Sequence, residues 1–352
     1  MPTITLNGKA VEATNGQTIL DVARANGIYI PSLCFHPKVG QAGLCRVCAV
    51  EVEKTSGPVM SCTTPIRDGM VVRTDTEALM QTRRTIVDLL LSNGEHDCAS
   101  CDIDGICELQ EVAHRLGLEK ASEPWTGTPV PIDLSHPLIA RNQNRCILCQ
   151  RCVKGCNTTV INEVLDVAYR GHNAAVISDL GVPLAESSCV ACGECVQLCP
   201  AGALVERKAQ RQDGPWKLET VRTTCPYCGV GCQMLLHVDR SHNRVVKVTG
   251  VEGAAPNDGM LCVKGRFAYD FPSSPKRLTH PLIKKNGKHQ PVSWDEALDY
   301  TASRLRQIRD AHGTGAISAV TSSRDDNENC YAAQKFMRAV IGNNNIDNCA
   351  RT

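Results

Sequence analysis

The sequence predicts an α+β protein built of several small modules, and three observations lead to this fold class. Nineteen of the 21 cysteines fall into five compact groups along the chain, leaving out only Cys330 and Cys349. Short stretches with strand and helix patterns surround these groups. Aromatic residues make up only 4% of the 352 residues, which leaves little bulk for several independent cores. Modules this small are not held by apolar burial alone, so bound metal is expected to stabilise them.

Charge and hydropathy exclude several classes of function. There are 38 Lys and Arg against 37 Asp and Glu, so the net charge gives no electrostatic reason to expect binding to nucleic acid or to a membrane surface. No apolar run approaches the length of a membrane-spanning helix. The opening MPTITLNGKAVEATNG has no export signal, which predicts a cytoplasmic location. In that compartment, clustered cysteines indicate metal sites and not disulfides.

The first module is predicted over residues 1–77. TITLNGKAVEA predicts a hairpin turning at Asn7-Gly8, and TILDVARAN predicts a helix that ends at Gly27. A cysteine-bearing loop follows, as in a β-grasp ferredoxin. A zinc ribbon would need two C-x2-C pairs, and this group has only one. The spacing instead matches a long-looped variant of the 2Fe-2S signature. The predicted ligands are Cys34, Cys45, Cys48 and Cys62.

The second module is predicted over residues 78–118. TEALMQTRRTIVDLLLSN predicts an amphipathic helix with Thr74 or Thr76 as N-cap and Gly94 as its stop. The loop HDCASCDIDGIC offers three thiolates and one imidazole to a 4Fe-4S cluster, although a lone histidine is also commonly a surface residue. A nitrogen ligand should raise the cluster's potential. His114 is expected to be an ordinary helix residue. The predicted ligands are His96, Cys98, Cys101 and Cys107.

A proline-rich linker, SEPWTGTPVPIDLSHP, precedes a third module predicted over residues 137–210. Two C-x2-C-x2-C-x3-C runs define a two-cluster bacterial ferredoxin, in which the fourth cysteine of each run ligates the other cluster. Asn157 stands where the first run would have its proline, which removes no ligand. One predicted 4Fe-4S site is Cys146, Cys149, Cys152 and Cys199, and the other is Cys156, Cys189, Cys192 and Cys195.

The fourth module is predicted over residues 218–274. TTCPYCGVGCQ and GMLCVKGRF supply the last cysteine group, and a single C-x2-C pair again argues against zinc. QMLLHVDRSHNRVVKVTG predicts two strands turning at 241–243. The predicted ligands of this 4Fe-4S cluster are Cys225, Cys228, Cys232 and Cys262. The sequence thus predicts one 2Fe-2S and four 4Fe-4S clusters, a series suited to carrying single electrons between a two-electron site and a partner.

The residues that follow carry a family resemblance. CPYCGVGC, DGMLCVKGRF and RLTHPLIKKNGKHQPVSWDEALDY resemble the opening of a molybdopterin oxidoreductase, with its α/β domain starting over residues 275–352. SSRDDNENCYAAQKFMRAVIGNNNIDNCAR resembles the formate dehydrogenase branch. Residues 1–210 resemble the ferredoxin-rich extension of cytoplasmic NAD(P)- or hydrogenase-linked formate dehydrogenase alpha subunits. The chain departs from the usual H-x3-C spacing of that family at His96-Asp97-Cys98.

The resemblance implies interconversion of formate and carbon dioxide at molybdenum or tungsten held by two pterin guanine dinucleotides. Lys264 matches the family lysine between a cluster and a pterin, although an exposed lysine is often only a surface residue. The implied partners are a flavin-bearing NAD(P)H diaphorase subunit or hydrogenase subunits. The alternative is a non-catalytic electron-transfer subunit of a hydrogenase or complex I-like assembly. Cys330 and Cys349 are expected to be inert core thiols.

The register of NNNIDNCART places the family's catalytic cysteine or selenocysteine directly after Thr352, so no catalytic residue is expected within this chain. One hypothesis is a selenocysteine UGA codon translated as a stop, and the alternatives are a deliberately shortened chain or a pseudogene. The codon after Thr352 distinguishes them.

Overall fold

The computed structural model describes residues 1–101, 103–209 and 217–349. Within these ranges, small sheets and helices follow one another in the order predicted, so the multi-module α+β organisation is confirmed. Six separate sheets are present in the described residues, and the largest has five strands. No helix within these ranges has both the length and the apolar character needed to cross a membrane.

The first module is a mixed five-stranded sheet with one helix against it. Its elements are β1 (Thr3–Leu6), β2 (Lys9–Glu12), α1 (Ile19–Ala25), β3 (Ala49–Val52), β4 (Val59–Met60) and β5 (Val71–Arg73). The strand order is β2-β1-β5-β3-β4, with β1 and β5 parallel. The predicted turn at Asn7-Gly8 joins β1 to β2, and both residues have positive φ. Thr18 and Asp21 form a capping box that begins α1.

Two helices carry the second cysteine loop. They are α2 (Glu77–Ser92) and α3 (Glu108–Arg115). Thr76 caps α2 by accepting the Leu79 N–H, whereas Thr74 is buried and its N–H donates to Asn7. The choice left open between the two threonines is therefore decided for Thr76. The segment after α3 packs against its neighbours, since Ser122 N donates to Asp88 Oδ1 at 2.7 Å.

The ferredoxin-like module consists of two short helices and two two-stranded sheets. Strand β6 (Ile139–Arg141) pairs with β9 (Leu204–Glu206), and β7 (Leu165–Ala168) pairs with β8 (Ala175–Ser178). Helix α4 (Arg151–Lys154) continues into a π-helical turn at Gly155–Thr159, and α5 spans Glu194–Leu198. Each helix therefore contains the third cysteine of one run.

The fourth module is a three-stranded antiparallel sheet followed by a short helix. Strands β10 (Leu218–Thr224), β11 (Gln233–Asp239) and β12 (Arg244–Gly250) lie in that order, and α6 spans Val263–Phe267. The turn predicted between β11 and β12 is present. The sequence analysis predicted only two strands and missed β10, whose sequence LETVRTT is rich in β-branched residues, which was a usable signal.

The last segment contains an antiparallel hairpin and a small parallel sheet with two helices. Its elements are β13 (Leu282–Lys285), β14 (Lys288–Pro291), α7 (Trp294–His312), β15 (Ala319–Thr321), α8 (Asn327–Lys335) and β16 (Ile346–Asn348). Helix α8 continues into a π-helical turn at Phe336–Ile341. Parallel β15 and β16 are joined through α8, the start of the α/β arrangement predicted for this region.

Apolar cores cross the module boundaries. Cys34 and Cys45 of the first module share a buried cluster with Leu109 of α3 and with Cys149 and Ala201 of the ferredoxin-like module. A second apolar core contains Cys152 and other residues of the ferredoxin-like module together with Phe267 of α6. Cysteine groups from different modules consequently lie against common apolar surfaces.

Candidate metal centres

The first cysteine group is buried in the first module. Cys34, Cys45, Cys48 and Cys62 are at most 7% exposed. Backbone amides face the sulfurs: Leu33 N donates to Cys45 Sγ at 3.4 Å, and Cys45 N donates to Cys34 Sγ at 3.5 Å. Amides directed at sulfur stabilise a thiolate-bound cluster.

The same four thiols contact one another. Hydrogen bonds from Cys45 and Cys62 lower the pKa of Cys34, and the bond from Cys62 lowers the pKa of Cys48 to about 6. These same bonds, together with burial, raise the pKa values of Cys45 and Cys62. The four thiols converge and share protons through these hydrogen bonds. A metal cluster would take the place of those protons, so the group fits a metal cluster.

The second group lines one cavity between α2, α3 and the ferredoxin-like module. The predicted ligands His96, Cys98, Cys101 and Cys107 all lie on its wall, with Leu91, Arg145 and Ala201. Gln110 N donates to Cys107 Sγ at 3.5 Å. The structure therefore brings the four predicted ligands together, although the spacing of His96 differs from the family pattern.

His96 points a buried nitrogen into this region. Its Nε2 atom is inaccessible to solvent and has no hydrogen-bond partner among the described residues. Burial, and then the charge of Arg145, lower the pKa of His96 to about 4. A neutral imidazole with an unpaired nitrogen costs stability unless that atom finds a partner, and a metal ligand role fits the atom. The ligand assignment itself stays a prediction.

The first ferredoxin-like cavity is lined by cysteines from both runs. Cys146, Cys149 and Cys152 share its wall with Cys199, as well as with Pro200 and Ala201. Leu148 N donates to Cys146 Sγ at 3.4 Å. This is the arrangement that crossed ligation requires, because the fourth cysteine comes from the second run.

Cys156 lies with the second triplet. Besides burial, its charge raises the pKa of Cys189 and of Cys195. At Cys146 in the first triplet, besides burial, it is the charge of Cys199 that raises the pKa. Ala191 N donates to Cys189 Sγ at 3.4 Å, which repeats the contact at Cys146. The two halves of the module are thus built alike, and each receives its fourth thiol from the other run.

Burial governs the protonation of these thiols. It raises the pKa of Cys146 to about 11, of Cys149 to about 12, and of Cys107 to about 12. Thiols this basic stay protonated at neutral pH unless a cation compensates the thiolate charge. Iron supplies that charge, so the donor set fits iron–sulfur clusters.

The fifth group is the most open to solvent. Cys225 is buried, Cys232 is half-buried, and Cys228 and Cys262 are exposed. Burial, then Cys262 and Cys228, raise the pKa of Cys225. The Cys225 N–H donates to Cys232 O at 2.8 Å, which closes the CPYCGVGC loop. Cys225, Cys228 and Cys232 thus lie in the loop between β10 and β11, and Cys262, directly before α6, is close enough to act on Cys225.

The remaining predicted residues have mixed outcomes. Lys264 is exposed on α6, two residues after Cys262, and its pterin role stays a prediction. The interpretation of Cys330 and Cys349 as core thiols is wrong: Cys330, on α8, is half-buried, and Cys349, directly after β16, is exposed. Thr352 and the expected catalytic position beyond it lie outside the described residues.

Sequence reasoning missed three charged side chains buried beside the cysteines. Arg151 is 1% exposed and donates to Glu108 Oε1 at 2.7 Å. Glu194 and Arg266 are 1% and 2% exposed and form an ion pair. The sequence positions of Arg151 and Glu194 were a usable signal, because each directly precedes the third cysteine of a run. Charged residues are seldom buried unless they are paired.

Family models match successive parts of the chain. They are a 2Fe-2S iron-sulfur cluster binding domain at residues 1–77, the NADH-ubiquinone oxidoreductase-G iron-sulfur binding region at 83–122, and the ferredoxin-like domain of NADH-quinone oxidoreductase subunit 3 at 136–205. The molybdopterin oxidoreductase Fe4S4 domain matches 218–274, and the molybdopterin oxidoreductase model matches 277–352. Residues 218–274 and 277–352 thus match the molybdopterin oxidoreductase family, and the earlier modules are similar to those of NADH-quinone oxidoreductases.

Individual relatives agree with this family but differ in name. The chain is 38% identical to the NADPH-Fe(3+) oxidoreductase subunit alpha of Geobacter sulfurreducens, over 100% of this chain and 40% of that protein. It is 31% identical to a Staphylococcus aureus protein provisionally named a formate dehydrogenase, over 99% of this chain and 39% of that protein. The chain therefore spans about two fifths of the length of these curated relatives.

A solved structure also matches. A chain in the crystal structure of an NAD+-reducing [NiFe]-hydrogenase, in its H2-reduced state, is 33% identical. The match covers 60% of this chain and 90% of that chain, with a TM-score of 0.57.

Proposed function

We propose that this chain is the electron-transfer part of a formate dehydrogenase alpha subunit that acts in the cytoplasm. It would hold one 2Fe-2S and four 4Fe-4S clusters on the five residue groups described above. When bound, such clusters accept and release single electrons with little rearrangement. The chain's own side chains would hold the clusters, exclude water from them and set the distances between them.

The observation that carries this proposal is the contiguity of the cysteine groups. Ala201 lines both the His96 cavity and the cavity of the first ferredoxin-like triplet. Cys107 Sγ contacts Pro200 O at 3.4 Å, and Leu109 N donates to the same oxygen at 3.1 Å. Pro200 is bonded to Cys199. One hydrogen bond and one residue therefore separate a predicted ligand of the second group from a predicted ligand of the third.

The first group is connected in a similar way. Leu33 and Cys34 share a buried core with Cys149, and Arg151 Nη2 donates to Ser32 O at 3.3 Å. Because Arg151 also pairs with Glu108, it joins three modules at one point. Contacts this short between cluster sites support electron transfer along the chain.

Formate is the finer part of the proposal. It is supported by the resemblance of residues 322–351 to the formate dehydrogenase branch and by the name of the Staphylococcus aureus relative. The substrate would react at molybdenum or tungsten held by two pterin guanine dinucleotides in the full-length protein. Lys264 would lie between the fifth cluster and a pterin. None of residues 1–352 is proposed as catalytic.

The proposed partners accept the electrons. A flavin-bearing NAD(P)H diaphorase subunit or hydrogenase subunits are supported by the similarity to a chain of an NAD+-reducing hydrogenase. A second candidate function is an NAD(P)H-linked oxidoreductase without formate activity. The 38% identity to a subunit of an NADPH-Fe(3+) oxidoreductase favours that candidate.

Metal analysis and two electron donors distinguish the candidates. The full-length complex is purified without oxygen and tested for molybdenum, tungsten and iron, and for viologen reduction by formate or by NADPH. Molybdenum or tungsten with formate-dependent reduction supports the formate proposal. Reduction by NADPH alone supports the second candidate, and iron without formate activity leaves only the electron-transfer role. Absence of iron–sulfur clusters contradicts both.

A further inference from the structure

A buried cluster of charged side chains lies where three modules meet. Lys38, in the loop between Cys34 and Cys45, contacts Glu194 Oε1 through its Nζ at 2.5 Å. Arg266 of α6 contacts Glu194 Oε2 through Nη2 at 3.1 Å. Counting side-chain atoms alone, Lys38 is 5% exposed, Arg266 is 3% exposed and Glu194 is 1% exposed. Charges are rarely buried this completely, and breaking such a cluster is costly.

Arg266 also touches the polypeptide that carries the second cysteine run. Its Nε donates to Cys192 O at 2.7 Å, and its Nη1 donates to Gln197 Oε1 at 2.7 Å. The guanidinium charge opposes the rise in pKa that burial causes at the Cys192 and Cys195 thiols. Arg266 follows Cys262 by one helical turn. One side chain thus joins the fifth cysteine group to the cluster site of Cys156, Cys189, Cys192 and Cys195.

The charged groups at this junction differ in burial. Two cations, Lys38 and Arg266, share the buried anion Glu194. The carboxylate of Glu252 also lies near, hydrogen-bonded by Gln197 at 3.3 Å, but its side chain is 42% exposed. A solvent-exposed charge is screened, whereas buried charges act at low dielectric.

Glu206 is a second buried carboxyl group, and its charge opposes the fall in pKa that burial causes at Arg266. Burial raises the pKa of Glu206, which disfavours its charged form, and the Tyr269 hydroxyl lies 2.8 Å from its Oε1. Unlike Glu194, it makes no ion pair with the guanidinium of Arg266. Arg266 is therefore the guanidinium that pairs with Glu194 and also contacts the main chain at Cys192.

We propose that Arg266, held by Glu194, sets the reduction potential of the 4Fe-4S cluster on Cys156, Cys189, Cys192 and Cys195. Reduction adds one negative charge to a cluster, so a buried cation beside it favours the reduced form, and its counterion opposes that effect. Arg266 is a positioning residue and not a cluster ligand. The inference rests on the proposed function only in requiring a cluster at this site.

The geometry explains why an arginine is used. Its planar group reaches a carbonyl, an amide and a carboxylate at once, which lysine cannot do. Gly193 leaves the space for it, since a Cβ added there would overlap Arg266 Cδ and lie 2.7 Å from Phe267 Cζ. The charge is therefore held in one position at the boundary between two cluster sites.

The test measures potentials in the full-length holoenzyme by EPR-monitored redox titration. The signal of this cluster is identified by its loss in Cys189→Ser. In Arg266→Gln, the ratio of oxidised to reduced cluster at a given solution potential should rise about tenfold, or about 59 mV for one electron. Glu194→Gln should shift the equilibrium in the opposite direction. Arg266→Lys keeps the charge and should stay within about twofold of the unmodified protein.

Arg83→Gln is the matched control. Arg83 is a buried arginine, 3% exposed, that donates to Ala49 O in the first module, so its loss should leave this cluster's potential unchanged. Shifts in the same direction for Arg266→Gln and Glu194→Gln, or no shift in either, overturn the proposal. If Arg266→Gln loses this cluster, Glu194→Gln decides: a higher potential supports the inference, and an unchanged or lower one overturns it. Failure of the proposed function has a different signature, since the unmodified protein would then lack the cluster signal or formate activity.

Discussion

At the scale of single residues, the chemistry of each predicted centre depends on the identity of its donor atoms. Most of the predicted ligands are thiols whose pKa values burial raises. His96 differs because its imidazole is neutral, with a buried Nε2 that lacks a partner among the described residues. A neutral ligand places less negative charge on a cluster than a thiolate does. The reduction potential of the second centre is therefore expected to be higher than it would be with four thiolates.

His96→Cys tests this expectation. The variant should keep a 4Fe-4S cluster and lower its reduction potential, because a thiolate adds a negative charge to the cluster. Redox titration followed by EPR measures the change. His114→Ala is the control, since His114 is exposed on α3 and its loss should change nothing. An unshifted potential in His96→Cys would show that another residue is the ligand.

Crossed ligation makes a second prediction at this scale. Cys156→Ala should disturb the cluster of Cys189, Cys192 and Cys195, and Cys199→Ala should disturb that of Cys146, Cys149 and Cys152, because each fourth thiol lies beside the other run's triplet. EPR spectra of the two variants should therefore lose different signals. Each substitution affecting the cluster of its own run instead would contradict the assignment.

At the scale of elements, short helix α6 matters because of what it packs against. It begins directly after Cys262 and places Arg266 and Phe267 against the loop before α5, where Gly193 has φ +71°. A residue other than glycine is strained in that conformation, and a side chain there would displace α6. The docking of the fourth module on the ferredoxin-like module therefore depends on the absence of one side chain.

Gly193→Ala should consequently destabilise the protein by more than the backbone strain alone. A left-handed alanine costs about 1–2 kcal/mol, and overlap with Arg266 adds to it. Gly171→Ala is the matched control, with φ +61° and nothing within 4 Å of the added Cβ. Thermal unfolding of both variants measures the difference. Equal destabilisation would mean that α6 moves without cost.

At the scale of the whole molecule, the cysteines are part of the cores that join the modules. Cys34, Cys45 and Cys149 belong to one buried apolar core, and Cys152 belongs to a second apolar core that includes Phe267. Each module alone is too small for a stable apolar core. Bound clusters would therefore hold the modules to one another as well as holding each module folded.

Removal of iron should unfold much of this chain. Anaerobic chelation of the clusters leaves buried thiols facing cavities, so we expect loss of secondary structure by circular dichroism and a fall in Tm on the order of 10 °C or more. Reconstitution with iron and sulfide should restore both. Helix α7 contains no predicted ligand, so some helix signal should remain after iron removal. An unchanged spectrum after complete iron removal would contradict a structural role for the clusters.

The sequence by itself determined the cysteine groups, the turn at Asn7-Gly8 and the presence of helices α1 and α2, but it left the N-cap of α2 open between Thr74 and Thr76. These features are local: spacing within a loop decides which thiols can reach one cluster, and turn or cap residues act on their immediate neighbours. The domain limits and ligand sets drawn from it stay predictions. Strand β10 was missed although its signal was local.

Only the tertiary structure decided how the groups are connected and charged. Lys38 and Glu194 are 156 residues apart in the chain, and Glu194 and Arg266 are 72 apart, so no spacing rule joins them. Ala201 became the wall between two cavities only through packing. Cys330 and Cys349 were misjudged for the same reason, because burial is a property of the folded surroundings and not of the residue type.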